Sequence, residues 1–283
     1  MKVKQDTINQ NEQQLEQLEK EYLAGIGYKF DAKKHIHSLD NKPLIGTTTA
    51  LGVIAKPLTW WASGMAMKKL GWTNPKDTAK GVRKDIADNF LQKIKGMNID
   101  EYMETLDIAY RAHADNLKDT AQAGTDLHAE LERYVKDHMN NTLGEYDAKI
   151  RPFITWSQEN VEKFIWSEKS CYSRTMWTGG QSDAGAKLKT GQVIVIDFKS
   201  SKEVYFNQFI QCAGYAQMIE ENGLFTDTGV SVGKINEPIS GVCVVPFGAK
   251  LVEPKFHWDI DELKIAFNHA VNLYKILNRN NAI

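Results

Sequence analysis

A chain of 283 residues, 42% of them apolar, is long and apolar enough to bury a real core, which excludes a disordered or fibrous protein. Thirty-five Lys and Arg against 36 Asp and Glu leave a formal net charge of −1, so no bulk field announces nucleic acid or membrane and any such contact must come from local patches. Three cysteines, Cys171, Cys212 and Cys243, are odd in number and far apart, which fits a reducing compartment and neither a disulfide framework nor a four-cysteine cluster.

The N-terminus leads into Gln- and Glu-rich sequence rather than an apolar signal core, and residues from about Thr7 to Leu23 read as a polar helix with a thin apolar stripe. Tyr28 to Thr49, with the turn signal Asp40-Asn41-Lys42-Pro43, predicts a short hairpin or extended lead-in. The longest apolar stretch, roughly Leu44 to Met67, is broken by Lys56-Pro57, so it fails as a membrane span of about twenty apolar residues. A cytoplasmic protein is expected. Pro57 opens a helix through Trp60, Trp61, Met65 and Leu70 that ends near Gly71. Helices follow over Lys76–Lys95, Ile99–Ala123 and Thr125–His138, with breaks at Gly96 and Gly124 and Thr125 as a cap, and another over Pro152–Phe164. Ile165 to Trp177 then reads as strand, Gly179-Gly180 as a turn or bulge, and Gln192 to Lys199 as the central strand. A helix from about Val204 to Glu221 precedes two strands, Ile239–Phe247 and Lys250–Trp258, in a hairpin around Pro246-Phe247-Gly248. Asp259 to Leu277 closes the chain as an amphipathic helix. Helices first and strands later make a mixed α/β core with a helical N-terminal half.

The run Val193-Ile194-Val195-Ile196 ends in Asp197-Phe198-Lys199, with a second acid, Asp183, in the Gly-rich segment before it. Alternation along a strand turns Asp197 and Lys199 the same way while Ile196 and Phe198 enter the core. Ionised groups at such a rim cost several kcal/mol unless paired, hydrogen-bonded or bound to a cation, and a divalent metal is the leading candidate. Asp183 and Asp197 are hard oxygen donors of the kind that Mg²⁺ or Mn²⁺ prefers, and Lys199 is a compact charge on a long stem. Lys187, Lys189, Lys199 and Lys202 cluster in sequence around these acids with Arg174 upstream, although each taken singly reads equally well as a solvated lysine. His128 reads by itself as a packed residue at the core-facing edge of its helix, and Glu130 and Glu132 as solvated. Gln208, Gln211 and Tyr215 share one helical face directly after Lys199, where amides and a phenol can brace the lysine or form a polar stripe. Gly180 to Lys187 superficially resembles a phosphate-binding loop. It fails because its lysine is not adjacent to the second glycine, no Ser or Thr follows, and a strand comes next.

The succession Gly124-Thr125-x-x-His128, Glu168, Gly180-x-x-Asp183, Asp197-x-Lys199 and Gln211-x-x-x-Tyr215 resembles the RecB-type branch of the PD-(D/E)xK nuclease superfamily in order and approximate spacing. Pro43 to Thr49 and Ile54 to Ala62 are similar to the opening of phage-encoded exonucleases related to Cas4 and RecB nuclease domains. The likeness spans roughly Pro43 to Leu277. It implies a restriction-endonuclease-like mixed β-sheet core flanked by helices, residues 1–42 being a helical extension and lead-in. Residues 43–283 would be the nuclease domain, 43–164 its mainly helical part and 165–283 its α/β core. It further implies that His128, Asp183, Asp197 and the main-chain carbonyl of Phe198 ligate Mg²⁺ or Mn²⁺, that Lys199 is the catalytic lysine, and that Gln211 and Tyr215 act beside the site. Glu168 matches a common acidic position without an assigned role. Four cysteines for the iron–sulfur cluster of some relatives are lacking.

The expected reaction is metal-dependent exonucleolytic hydrolysis of DNA by an activated water, in phage DNA recombination, repair or processing in the host cytoplasm. The expected partners are DNA and a single-strand annealing or single-strand binding protein; a homo-oligomer is compatible with the sequence, and a membrane is not expected. An endonuclease with the same catalytic residues and a non-catalytic DNA-end binding scaffold are the rivals.

Overall fold

The computed structural model describes residues 27–55 and 59–279. The helix expected over Thr7–Leu23 lies outside them. The described residues fall into two compact units, one drawn from residues 1–55 and 127–283, the other from 56–126.

In the first unit, β1 (Tyr28–Asp31), β2 (Ile36–Leu39) and β3 (Lys42–Pro43) form a small antiparallel sheet, the hairpin anticipated there, with Asp40 and Asn41 at positive φ in its turn. Next come β4 (Ile45–Gly46) and the short α1 (Thr47–Leu51). The large sheet is built from β5 (Val161–Ser173), β6 (Thr178–Leu188), β7 (Val193–Lys199), β8 (Leu224–Phe225), β9 (Ser231–Gly233), β10 (Ile239–Pro246) and β11 (Lys255–His257), in the order β11-β10-β7-β6-β5-β8-β9, with β4 added against β6. The β7–β10 and β4–β6 pairs are parallel and the others antiparallel, so the sheet is mixed.

Alternation along β7 explains why it reads as a continuous apolar run. Val193 and Val195 pack with Ile210, Ala213, Phe267 and Val271, which come from the helices Phe206–Asn222 and Ile260–Leu277. Ile194, Ile196 and Phe198 pack on the other face with Leu131, Tyr134 and Val135 of the helix Ile99–Asn140 and with Phe153 of the helix Arg151–Asn160. A strand covered on both faces has no solvent side to mark with polar residues.

The second unit contains α2 (Thr59–Lys69) and α3 (Lys80–Lys95), and shares α4 (Ile99–Asn140) with the first; α5 (Arg151–Asn160), α6 (Phe206–Asn222) and α7 (Ile260–Leu277) complete the helices. The break expected at Gly124 is absent, and Thr125 is not a cap. A helical glycine costs only about 1 kcal/mol relative to alanine, and the buried Leu131, Tyr134 and Val135 hold the following turns against the sheet. Helix α5 stops at Asn160 instead of Phe164, which is a β5 residue packed against Tyr134 and Phe153.

Gly179 and Gly180 are strand residues, not a turn; the chain reverses at 174–177, where Trp177 takes φ 58°. Their role is close approach: a Cβ at 179 would lie 2.6 Å from His37 Cβ, and one at 180 would lie 2.5 Å from Thr47 Oγ1 and Tyr215 Cε1. Gly185 is tighter still, since a Cβ there would sit 2.0 Å from the buried Trp166 ring, whose Nε1 donates to Ser182 Oγ at 3.1 Å. Gly185→Ala is expected to cost about 3 kcal/mol or more by overpacking, read as a lowered denaturation midpoint. The second strand of the expected 239–258 hairpin is confined to Lys255–His257, paired with Val242–Val244, leaving residues 247–254 as a loop.

His37 is buried beside Tyr28, whose hydroxyl lies 2.7 Å from its Nδ1, and stacks on Phe30. Burial, aided by His35, lowers its pKa from 6.5 to about 4. The fold therefore binds the neutral ring, and the stability this contributes is present above the unfolded pKa and lost as pH falls from 6.5 through about 4. Between pH 7 and 4.5 the wild type is expected to lose about 2 kcal/mol more than His37→Phe in chemical denaturation. Equal losses would show that the ring titrates normally.

Candidate active site

Adjacent strands β5, β6 and β7 bring three acids together. The register that pairs Ser167 with Ala184 and Lys169 with Ser182 sets Glu168 across from Asp183, and the register that pairs Ala184 with Ile196 sets Asp183 beside Asp197. From α4, His128 Nδ1 reaches to 3.6 Å from Asp183 Oδ2 and 3.9 Å from Glu168 Oε1. One donor atom from each of His128, Glu168 and Asp183 lies within 4.8 Å of the others, spacing suited to a shared cation. Asp183 Oδ2 also accepts the Phe198 N–H at 2.7 Å, which fixes the carboxylate against β7.

Asp197 is 1% exposed and turned to the face of the sheet covered by α6. Lys199 Nζ lies 3.0 Å from its Oδ1 and 2.8 Å from its Oδ2, and the buried Oδ2 has no hydrogen bond beyond this ion pair among the described residues. The ammonium also donates to Gln211 Oε1 at 3.3 Å, and Gln211 Nε2 donates to the Tyr215 hydroxyl at 2.6 Å. Gln211 and Tyr215, four apart on α6, thus form a bracket behind Lys199. Gln208 is not part of it: its Oε1 caps α6 by accepting the Tyr205 N–H at 2.9 Å.

Burial pushes Asp197 up to about 6 despite the neighbouring ammonium of Lys199, and it raises Asp183 although His128 and Lys199 oppose it. Burial alone would depress His128, but the adjacent Glu168 carboxylate, with Asp183 and Asp197, lifts it to about 9. The same balance holds Lys199 above the ordinary lysine range, burial being outweighed by Asp197 and Asp183. Lys199 is therefore held as an ammonium. Burial, with the nearby acids, keeps Tyr215 a neutral phenol. Carboxylates whose charged forms are disfavoured by burial gain most from added positive charge.

Two open clefts flank this site. One, of about 480 Å³, is lined by Glu132, Lys136, Glu168, Lys169, Gln181 and Asp227 among others. The other, of about 460 Å³, includes His35, Thr47, Thr48, Gly180, Gln181 and Tyr215. Thr47 anchors the second by donating to the Gly179 carbonyl at 3.0 Å.

Glu168 is the residue to which the sequence assigned no role. It lies mid-strand at φ 45°, a left-handed conformation that costs a non-glycine residue on the order of 1 kcal/mol or more and recurs at functional sites. The expected lysine cluster, by contrast, disperses. Lys187 pairs with Glu237 at 2.7 Å opposite Val193, the far end of β7 from Lys199; Lys189 donates to the Gln158 carbonyl, and Arg174 pairs with Asp40 at 3.1 Å. Cys171, Cys212 and Cys243 are free and buried. No helix of the described residues is long and apolar enough to cross a membrane. No model of a known protein family matches the chain, and no curated protein matches it in sequence.

Proposed function

We propose that this protein is a metal-dependent DNA exonuclease of the PD-(D/E)xK kind, its mixed sheet corresponding to a restriction-endonuclease-like core. The observation that carries the reading is the convergence of His128, Glu168 and Asp183 within 4.8 Å beside the Asp197–Lys199–Gln211–Tyr215 chain. The residues fit a divalent cation on chemistry as well as distance: an imidazole and two carboxylates converge, and a third carboxylate oxygen, Asp197 Oδ2, has an ion-pair contact but no hydrogen bond among the described residues. His128, Glu168 and Asp183 would hold the ion, with Asp197 adjacent. Bound there, it would polarise a phosphate and lower the pKa of a coordinated water.

The remaining roles belong to the chain itself. Lys199, kept charged by Asp197, offers an ammonium to the negative charge that builds on a phosphate under attack. Gln211 and Tyr215 limit its rotation, so that the charge is oriented before substrate arrives. The Phe198 N–H, donating to Asp183 Oδ2, does the same for that carboxylate. In the net reaction a water oxygen bonds to phosphorus, the bond to the leaving sugar oxygen breaks, and that oxygen gains a proton.

Digestion from ends, rather than internal nicking, follows the likeness of 43–49 and 54–62 to phage exonucleases. The test is end-labelled linear DNA beside a closed circular control, each with Mg²⁺, Mn²⁺ or chelator. Release of label only with metal and only from linear DNA is expected. Nicking of the circle would make the protein an endonuclease, and equal activity in chelator would overturn the metal mechanism. Retention of DNA without hydrolysis under every metal condition would favour a binding scaffold.

A further inference from the structure

The near-neutral charge of the whole chain conceals an uneven distribution. Residues 59–96, which hold α2 and α3, carry eight Lys and Arg against three Asp, a formal +5 in a chain whose total is −1. None of the seven lysines in this stretch forms an ion pair with a carboxylate among the described residues. Neither helix contains a buried residue, although α2 reads Thr-Trp-Trp-Ala-Ser-Gly-Met-Ala-Met-Lys-Lys. Trp60 is 90% exposed, Met67 on the same side seven residues on is 45% exposed, and Lys68 and Lys69 follow in the last turn. The pair is nonetheless built to hold a shape: Gly71, at φ 77°, brings the chain so close to Phe90 that a Cβ would lie 2.6 Å from it, and Arg83 Nε donates to the Thr73 carbonyl at 3.1 Å.

An apolar face with unpaired lysines at its end suits a ligand that is itself part π-surface and part anion. We infer that the α2–α3 surface binds single-stranded DNA, with Trp60 stacking on a base and Lys68, two turns on and on the adjoining side of α2, on a phosphate farther along the strand, an assignment that rests on the nuclease reading for its choice of DNA. A second copy of the chain is disfavoured because it would bring two +5 surfaces together. A duplex is disfavoured because its bases already stack on one another and offer an indole no free face.

The test uses the full-length protein with fluorescein-labelled oligo(dT) in chelator, so that binding is read without cleavage. Trp60→Ala is expected to weaken binding about tenfold, and Trp60→Phe to retain most of it. Lys68→Gln should reduce the slope of log affinity against log salt by about 0.7, and Lys69→Gln, on the opposite side of α2 from Trp60, by less. Unchanged binding in both sets, or duplex bound as tightly as single strands with the same losses, would overturn the inference. Concentration-dependent self-association abolished by Trp60→Ala would overturn it in favour of an interface between copies. A protein that binds this way yet never cleaves would sink the nuclease reading alone, and an active nuclease indifferent to Trp60 would sink this inference alone.

Discussion

Asp183→Asn is expected to lower metal-dependent digestion of linear DNA by about a thousandfold while leaving the protein folded. On the proposed metal mechanism several kcal/mol of charge stabilisation would depend on a cation held at this position, and about 4 kcal/mol corresponds to that factor in rate. The amide keeps an oxygen to accept the Phe198 N–H now bonded at 2.7 Å, so the β6–β7 contact survives. Because burial raises the pKa of Asp183, a neutral isostere removes a strained charge rather than a stabilising one. The thermal midpoint without added metal should therefore hold steady or rise. A second readout separates chemistry from binding: Mn²⁺ or Mg²⁺ should raise the midpoint of the wild type and not that of the variant, since only a site present in the folded state gains from a ligand. Undiminished cleavage by Asp183→Asn, or the same metal-induced rise in both proteins, would remove Asp183 from the metal site.

The parts of this site that sequence revealed are those governed by local periodicity. The two-residue repeat of β7 turns Asp197 and Lys199 to one face, and the four-residue step on α6 aligns Gln211 with Tyr215, contacts now seen at 2.8 Å and 2.6 Å. What local pattern could not supply is cross-strand register. Glu168 meets Asp183 through the β5–β6 pairing and a left-handed backbone, neither of which leaves a trace in residue type. The glycines misled for a related reason. Gly179 and Gly180 resemble turn residues in a string of letters, but each is small because a distant side chain, His37 or Tyr215, needs the space. The apparent lysine cluster fails by strand length: Lys187 and Lys199 sit toward opposite ends of the β6–β7 ladder, and a strand advances about 3.3 Å per residue.

Lys199→Met should be among the most destabilising single changes at the site, and its partner Asp197→Asn should not. Removing the ammonium leaves a carboxylate 1% exposed with no cation against it, a state that costs on the order of 3 kcal/mol once the 23% exposure of the lysine side chain is discounted. For a chain of this size that lowers the melting midpoint by roughly 6–12 °C. Asp197→Asn leaves instead an ammonium that can reach water, at a cost of about 1 kcal/mol. The double variant should recover most of what Lys199→Met loses, because the uncompensated charge is gone. Proton linkage gives the sign of the pH dependence. Asp197 is pushed up to about 6 even with Lys199 beside it, so without the lysine its protonation relieves the penalty as pH falls, and the gap between wild type and Lys199→Met narrows on acidification. Activity should follow a different pattern, with all three variants inactive on linear DNA. Recovery of stability without recovery of cleavage would separate the lysine's part in catalysis from its part in neutralising a buried acid. A Lys199→Met protein as stable as wild type would mean that Asp197 is already protonated, and one that still cleaves would take Lys199 out of the catalytic apparatus.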